Sequence, residues 1–259
     1  MSEHVKVADA EGVRTVTIAR PEKKNALTRD MYAAMAEAIT SSVGDNSVRV
    51  ILFTGEGDAF TAGNDIGDFM NRPPSANEGG DGPSVNVFLQ AIAEAEKPLV
   101  AAVNGMAVGV GVTMLLHCDL VYAADTAVFK APFVDLGLVP EAGSSLLMPA
   151  RIGRARAGEL FLLCEKIDAQ TAAEWGLVGA VFSKASLLDE AVKRARALAA
   201  KSPSSVRNTK ALMRGSVDPV FARMADEGRI FAQALQSDEF REAGAAFLEK
   251  RAPDFSRFS

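Results

Sequence analysis

Residues 98–113 read PLVAAVNGMAVGVGVT, and this stretch indicates the fold more clearly than any other. Leu99–Val103 is a short apolar run with β-branched residues, which predicts a fully buried strand. Asn104-Gly105 predicts a turn, and the glycines at 109 and 111 follow a second short apolar run. The uncharged stretch continues to Leu116, but these turn residues interrupt it. We therefore interpret it as a strand, a turn and a helix start in a folded core, and not as a membrane span.

Strand and helix signals alternate on both sides of this stretch. Val13–Ile18 alternates apolar and polar residues, as a half-buried strand does. Thr28 is a suitable N-cap for a helix with apolar residues at positions 31, 35 and 39. Further strands are predicted at Val48–Phe53, Asp119–Ala123 and Ala127–Lys130. This alternation of strands and helices predicts an α/β protein.

After residue 154 the pattern becomes helical. Helices are predicted over Ala155–Leu163, Ala169–Trp175, Leu187–Ala200, Pro203–Met213, Val217–Gln236 and Asp238–Lys250. We therefore divide the chain into a core, residues 1–200, and a helical C-terminal region, residues 201–259. A helical segment of this length has little core of its own. We expect it to pack on the rest of the chain or on a neighbouring subunit.

Residues 71–85 read NRPPSANEGGDGPSV and are rich in proline, glycine and polar residues. This composition predicts a loop, which is either a surface loop without function or a lid over a site. Because strand signals continue on both sides, we do not interpret the segment as a linker between domains.

The composition limits the chemistry of the protein. Its 259 residues include 28 Lys and Arg against 33 Asp and Glu, and the net charge of −5 argues against binding to nucleic acid. The two histidines and two cysteines have no zinc spacing, so neither a metal site nor a disulfide framework is expected. The first residues are polar and lack the apolar segment of a signal peptide, so we expect a cytoplasmic location. Carboxylates and backbone groups remain as candidates for catalysis.

Two glycine-containing segments are candidates for binding an oxygen atom. Phe60–Ile66 (FTAGNDI) and Asn104–Gly111 each contain glycine near the end of a strand signal, where N–H groups at a helix start can face a ligand. Two such turns side by side would supply the convergent N–H donors of an oxyanion hole. Their spacing is neither that of a dinucleotide fingerprint nor that of a P-loop. The alternative is that both are structural turns.

Glu141 is the one charged residue between Leu136 and Ala150. Apolar surroundings disfavour the charged form of a carboxyl group and raise its pKa toward that of a general base. The alternative is a glutamate exposed in a turn.

Five segments in this order resemble the enoyl-CoA hydratase/isomerase, or crotonase, superfamily over nearly the whole chain. They are residues 20–27 (RPEKKNAL), 60–66 (FTAGNDI), 98–105 (PLVAAVNG), 118–119 (CD) and 247–251 (FLEKR). The resemblance implies a crotonase-like spiral of ββα units with a helical C-terminal region that forms a homotrimer or a dimer of trimers. It also implies an acyl-CoA thioester as substrate. No separate cofactor is expected, because CoA is part of that substrate.

The resemblance also assigns roles to particular residues. In this family, two backbone N–H groups bind the thioester oxygen, and the matching positions here are Asn64 and Val110. Three further matches contribute backbone to the adenine pocket, and two basic residues lie near the CoA phosphates. The adenine matches are Ala62, Asp65 and Ile66, and the basic residues are Lys24 and Lys250.

The departures from the family pattern indicate which reaction to expect. Hydratases of the family use two glutamates, and the matching positions here are Thr113 and Phe133, neither of which is an acid or base near neutral pH. The chain instead looks like the Δ3,Δ2-enoyl-CoA isomerase branch, in which a single glutamate after a proline is the base. That residue is Glu141. A hydratase-like or other crotonase reaction, and an acyl-CoA-binding protein without catalysis, are the alternatives.

Overall fold

The strands form two sheets in the computed structural model, which describes residues 2–65, 67, 83–249 and 251–258. Within these residues the strands are β1 Val5–Ala10, β2 Val13–Ile18, β3 Val50–Gly55, β4 Ala59–Thr61, β5 Leu99–Val103, β6 Met106–Val108, β7 Leu120–Ala124, β8 Val128–Lys130, β9 Ile167–Asp168 and β10 Ala180–Phe182. The larger sheet has the order β1-β2-β3-β5-β7-β10, and the smaller sheet has the order β4-β6-β8-β9.

From β3 to β8, consecutive strands alternate between the two sheets. Strands β3, β5 and β7 lie in the larger sheet, and β4, β6 and β8, which follow them in sequence, lie in the smaller one. Neighbours are parallel except for the antiparallel pairs β1–β2 and β8–β9. This repetition is the expected α/β spiral of ββα units, and it places the ends of β4 and β6 side by side.

The predicted strands agree with the observed ones in place and differ slightly in bounds. Leu99–Val103 has the predicted bounds and is buried on both faces, because it lies between two parallel neighbours in the sheet. The strand predicted at Val48–Phe53 begins and ends two residues later, as β3. Those predicted at 119–123 and 127–130 are β7 and β8, shifted or shortened by one residue.

The helices surround these sheets. Within the described residues they are α1 Arg29–Thr40, α2 Pro83–Glu94, α3 Val110–Thr113, α4 Ser144–Ile152, α5 Arg154–Phe161, α6 Ala169–Glu174, α7 Leu187–Ala199, α8 Pro203–Arg214, α9 Asp218–Ala234 and α10 Asp238–Glu249. The predicted cap of α1 is confirmed, because the Thr28 side chain accepts a hydrogen bond from the Met31 N–H. The six helices predicted after residue 154 are all present, with ends within two residues of those predicted. No helix among the described residues is long and apolar enough to cross a membrane.

Several elements were not predicted from the sequence, among them β1, α2 and α4. The polar first residues gave no strand signal, but β1 pairs with β2 along its whole length, and the His4 carbonyl accepts the Ala19 N–H at 2.8 Å. Helix α2 begins at Pro83, so the loop prediction for 71–85 is wrong for its last three residues. Residues 71–82 lie outside the described part of the chain. Helix α4 contains Pro149, which conceals its helical pattern.

The C-terminal helices pack on the rest of the chain. This was one of the two arrangements expected from the sequence, the other being packing on a neighbouring subunit. The Lys210 ammonium on α8 donates to the carboxylate of Asp119 at 2.8 Å and to the carbonyl of Lys97 at 2.9 Å. Asp119 also accepts the N–H of Leu99, at the start of the central strand β5. Burial lowers the pKa of Lys210, whereas the charge of Asp119 raises it. The division into regions 1–200 and 201–259 stays a prediction.

This ion pair leads to a stability prediction. We expect Lys210→Met to lower the free energy of unfolding by about 2–3 kcal/mol, because it leaves the Asp119 carboxylate without its cation. We expect a smaller loss than for a fully buried ion pair, because the Asp119 side chain is 24% exposed and solvent screens its charge. Urea unfolding measures the change, and Lys201→Met, at an exposed lysine of the same region, is the control. Equal losses in the two variants would contradict the prediction.

Candidate active site

The two predicted glycine turns lie against each other. Strands β4 and β6 are parallel neighbours, so the turns that follow them leave the same edge of the smaller sheet. A Cβ atom on Gly63 would lie 3.0 Å from the carbonyl oxygen of Val108. A Cβ atom on Gly111 would lie 2.5 Å from the Cγ2 atom of Thr61. Both positions therefore require glycine, since any side chain would push the two turns apart.

The first turn, residues 62–65, leaves one N–H group available. The other three donate within the protein: Ala62 to Lys24 O at 2.9 Å, Gly63 to Thr61 Oγ1 at 3.1 Å and Asp65 to Leu27 O at 2.9 Å. The N–H of Asn64 has no acceptor among the described residues. The segment 24–27 thus holds the turn on both sides of Asn64 and fixes its backbone.

The second turn offers its N–H groups through the start of a helix. The first N–H groups of a helix have no acceptor inside it. Those of Val112 and Thr113 are satisfied by the Gly109 carbonyl, at 2.9 and 3.1 Å. Those of Val110 and Gly111 have no acceptor within the described part of the chain. Gly109 joins β6 to α3. It adopts a φ of 56°, a positive value that glycine adopts more readily than other residues.

Side chains also fix the first turn. The hydroxyl of Tyr32 donates a hydrogen bond to the side-chain oxygen of Asn64. The buried Tyr32 ring packs against Phe88 of α2, with ring centroids 5.5 Å apart. The Arg20 guanidinium lies 2.6 Å from the carboxylate of Asp65. These contacts tie the turn to α1 and α2.

Glu141 lies in the segment before α4 and is buried, with 5% of its surface exposed. The hydroxyl of Thr113 lies 2.5 Å from its Oε1 atom and donates a hydrogen bond to it. Thr113 is the last residue of α3, and Val110 is the first. Three residues of helix rise about 4.5 Å, so Thr113 lies about one helical turn along α3 from Val110. The helix that presents the N–H group therefore also contacts the carboxylate.

Residues 141–143, which we call the base loop, are held by the side chains of His117 and Glu227, neither of which was predicted as a site residue. The Nε2–H of His117 donates to the Ala142 carbonyl at 2.8 Å. Burial lowers the pKa of His117 to about 4, so the ring is neutral near pH 7. The carboxylate of Glu227 accepts the N–H groups of Gly143 at 2.6 Å and Ser145 at 2.9 Å. No local motif marks Glu227, because it is separated from Gly143 by 84 residues.

The expected CoA-binding residues are placed only in part. Lys24 forms an exposed ion pair with Asp58 at 2.8 Å, beside the first turn. The N–H groups of Ala62 and Asp65 are engaged within the protein, as described above. Ile66 and Lys250 lie outside the described residues. No group of three or more His, Cys, Asp or Glu side chains that could hold a metal ion is present among the residues described.

Comparison with known proteins places this chain in a family. A family model described as enoyl-CoA hydratase/isomerase matches residues 8–257. A probable enoyl-CoA hydratase of Rhodobacter capsulatus is 37% identical over 264 residues, which cover 99% of this chain and 99% of that protein. Enoyl-CoA delta isomerase 2 of Rattus norvegicus is 37% identical over 215 residues, which cover 82% of this chain and 55% of that protein.

A solved structure agrees with these relatives. The crystal structure of an enoyl-CoA hydratase/isomerase from Pseudoalteromonas atlantica T6c has a TM-score of 0.92 and 49% identity, and the match covers 98% of this chain and 100% of that chain. The relatives named as a hydratase and as an isomerase are equally similar to this chain, so their names do not choose between the reactions. The chain belongs to the enoyl-CoA hydratase/isomerase family and is a crotonase-type enzyme that acts on acyl-CoA thioesters.

Proposed function

We propose that the enzyme converts a 3-enoyl-CoA to the 2-trans-enoyl-CoA, with Glu141 as its single acid and base. The N–H groups of Asn64 and Val110 form the oxyanion hole. The observation that carries this proposal is the buried Glu141 carboxylate, which accepts a hydrogen bond from Thr113 on the same short helix that begins at Val110. The site thus combines a base with donors that have no other acceptor among the described residues.

The proposed reaction needs one proton site. The Glu141 carboxylate removes a proton from C2, and the electrons of the C–H bond spread over the dienolate onto the thioester oxygen. The two N–H groups stabilise this negative charge, and removing one such donor in other enzymes costs about 3–4 kcal/mol. Protonated Glu141 then returns the proton to C4, and the double bond moves from C3–C4 to C2–C3. Protons and electrons balance, so the reaction needs no oxidant or reductant.

Two residues support isomerisation over hydration. Thr113 and Phe133 stand where hydratases of the family have glutamates, so a second carboxylate to activate water is missing from these positions. Phe133 is nearly buried and meets Phe161 edge to face, with ring centroids 6.3 Å apart. Thr113 acts on Glu141 as a hydrogen-bond donor and cannot serve as a base itself.

The substrate's CoA part and the assembly are also part of the proposal. Lys24, with Lys250, meets the CoA phosphates, so Lys24 exchanges Asp58 for a phosphate oxygen on binding. The backbone of Ala62, Asp65 and Ile66 lines the adenine pocket. The C-terminal helices form a homotrimer or a dimer of trimers in the cytoplasm. Exposed apolar side chains support an assembly, such as Leu212 and Met213 on α8, which are 84% and 79% exposed.

Glu141→Gln tests the assignment of the base. We expect this change to keep the size of the side chain and to lower the rate of isomerisation at least about 10²-fold, because the amide cannot accept the proton. The measurement is product analysis with a panel of 3-enoyl-CoA thioesters of different chain lengths. Glu159→Gln, at an exposed glutamate of α5, is the control and should keep the wild-type rate.

The same preparation separates the alternatives. Isomerisation predicts little or no hydration of crotonyl-CoA by the wild type, whereas fast hydration would favour a hydratase. Binding of CoA thioesters without turnover would instead indicate an acyl-CoA-binding protein. An undiminished isomerisation rate in Glu141→Gln would show that another residue is the base.

Val110→Pro tests the oxyanion hole. Proline lacks the N–H group and is well tolerated at the first position of a helix, which Val110 occupies in α3. We expect kcat to fall about 10²–10³-fold, as when one oxyanion donor is removed elsewhere. Val110→Ala keeps the N–H group and is the control for the loss of side-chain packing. Similar rates in the proline and alanine variants would exclude this N–H group as a donor.

A further inference from the structure

The base loop has a backbone conformation that its own sequence does not favour. Ala142 and Gly143 both have positive φ values, 63° and 69°. An alanine in this left-handed region is strained, because its Cβ atom approaches the following carbonyl oxygen. Contacts from elsewhere in the protein must therefore hold the loop in this shape.

Glu227 holds one side of the loop. It lies on α9 of the C-terminal region and is 5% exposed. Its two carboxylate oxygens accept different N–H groups, Oε2 that of Gly143 and Oε1 that of Ser145. These N–H groups lie at the start of α4, where the helix dipole favours a negative charge. Burial raises the pKa of Glu227, while the hydrogen bonds from Ser145 and Gly143 and the nearby charge of Arg223 oppose that rise.

His117 holds the other side of the loop. Its ring donates to the Ala142 carbonyl, between the two residues that Glu227 and Thr113 contact. His117 ends the 3₁₀ turn that directly continues α3, so Val110, Thr113 and His117 belong to one helical stretch. The base loop is thus fixed between this stretch and helix α9.

We propose that Glu227 is a positioning residue, which fixes the base loop so that the Glu141 carboxylate is held at Thr113 and toward the substrate. This inference rests on the proposed role of Glu141. The bidentate geometry explains why a carboxylate is needed. A glutamine could accept one N–H group only, and its own NH₂ group would face the other donor. An aspartate is one methylene shorter and could reach only one of the two N–H groups. The helical C-terminal region thereby completes the site of its own chain.

The test compares Glu227→Gln with Asp226→Asn, a control at the neighbouring exposed residue of α9. We expect Glu227→Gln to lower kcat about 10- to 100-fold, since a base displaced by about 1 Å loses that much, with KM nearly unchanged. The amide hydrogens of Gly143 and Ser145 should exchange faster with solvent, while those of Leu99–Val103 stay protected. Asp226→Asn should change neither property.

Two further results make the outcome decisive. Glu227→Asp keeps the charge, so its kcat should lie between those of Glu227→Gln and the wild type. If Glu227→Gln does not fold, Glu227→Asp takes its place in the comparison with Asp226→Asn. Faster exchange with an unchanged kcat would make Glu227 only a helix cap and would overturn the proposal, as would unchanged exchange. If the wild type isomerises no 3-enoyl-CoA, the proposed reaction fails, and the exchange measurement alone then decides whether Glu227 holds the loop.

Discussion

The site depends on one steric constraint, which is the close contact between two turns where only glycine fits. Gly63 lies against the Val108 carbonyl, and Gly111 lies against the Thr61 side chain. This contact brings the available N–H groups of the two turns that follow β4 and β6 to one edge of the smaller sheet. It also sets the start of α3, which in turn sets where Thr113 meets Glu141. A methyl group at Gly111 would clash with Thr61, and one at Gly63 would be crowded by the Val108 carbonyl and strained by the φ of 87° at this position.

The sequence predicts well those parts of the fold whose signal is local. Leu99–Val103 is buried on both faces, so its apolar run is continuous and its bounds are recovered. Strand β1 has five exposed residues of six, so it gives no apolar signal. Glu11 and Gly12 form the tight turn between β1 and β2, and both have positive φ values. Such a turn is typical of a β-hairpin and is a local signal from which β1 could have been predicted.

The site is predictable only where it depends on glycine patterns and apolar context. These indicated the two turns and the buried state of Glu141, because both are properties of short segments. The contacts of His117 and Glu227 with the base loop join residues far apart in the chain, so no local pattern announces them. On the surface of a helix, a glutamate such as Glu227 looks like any solvated charge until the packing of that helix is known.

The single helical stretch from Val110 to His117 has a consequence for the motions of the site. One end presents an N–H group, its middle contacts Glu141, and its last residue contacts the base loop. We therefore expect the Val110 N–H group and the Glu141 carboxylate to move together, because the helical stretch contains the first and is hydrogen-bonded to the second. The separation between them varies less than the position of either one. In the proposed reaction, the spacing between the oxyanion donor and the base is therefore set by this one stretch and not by the walls around the acyl chain.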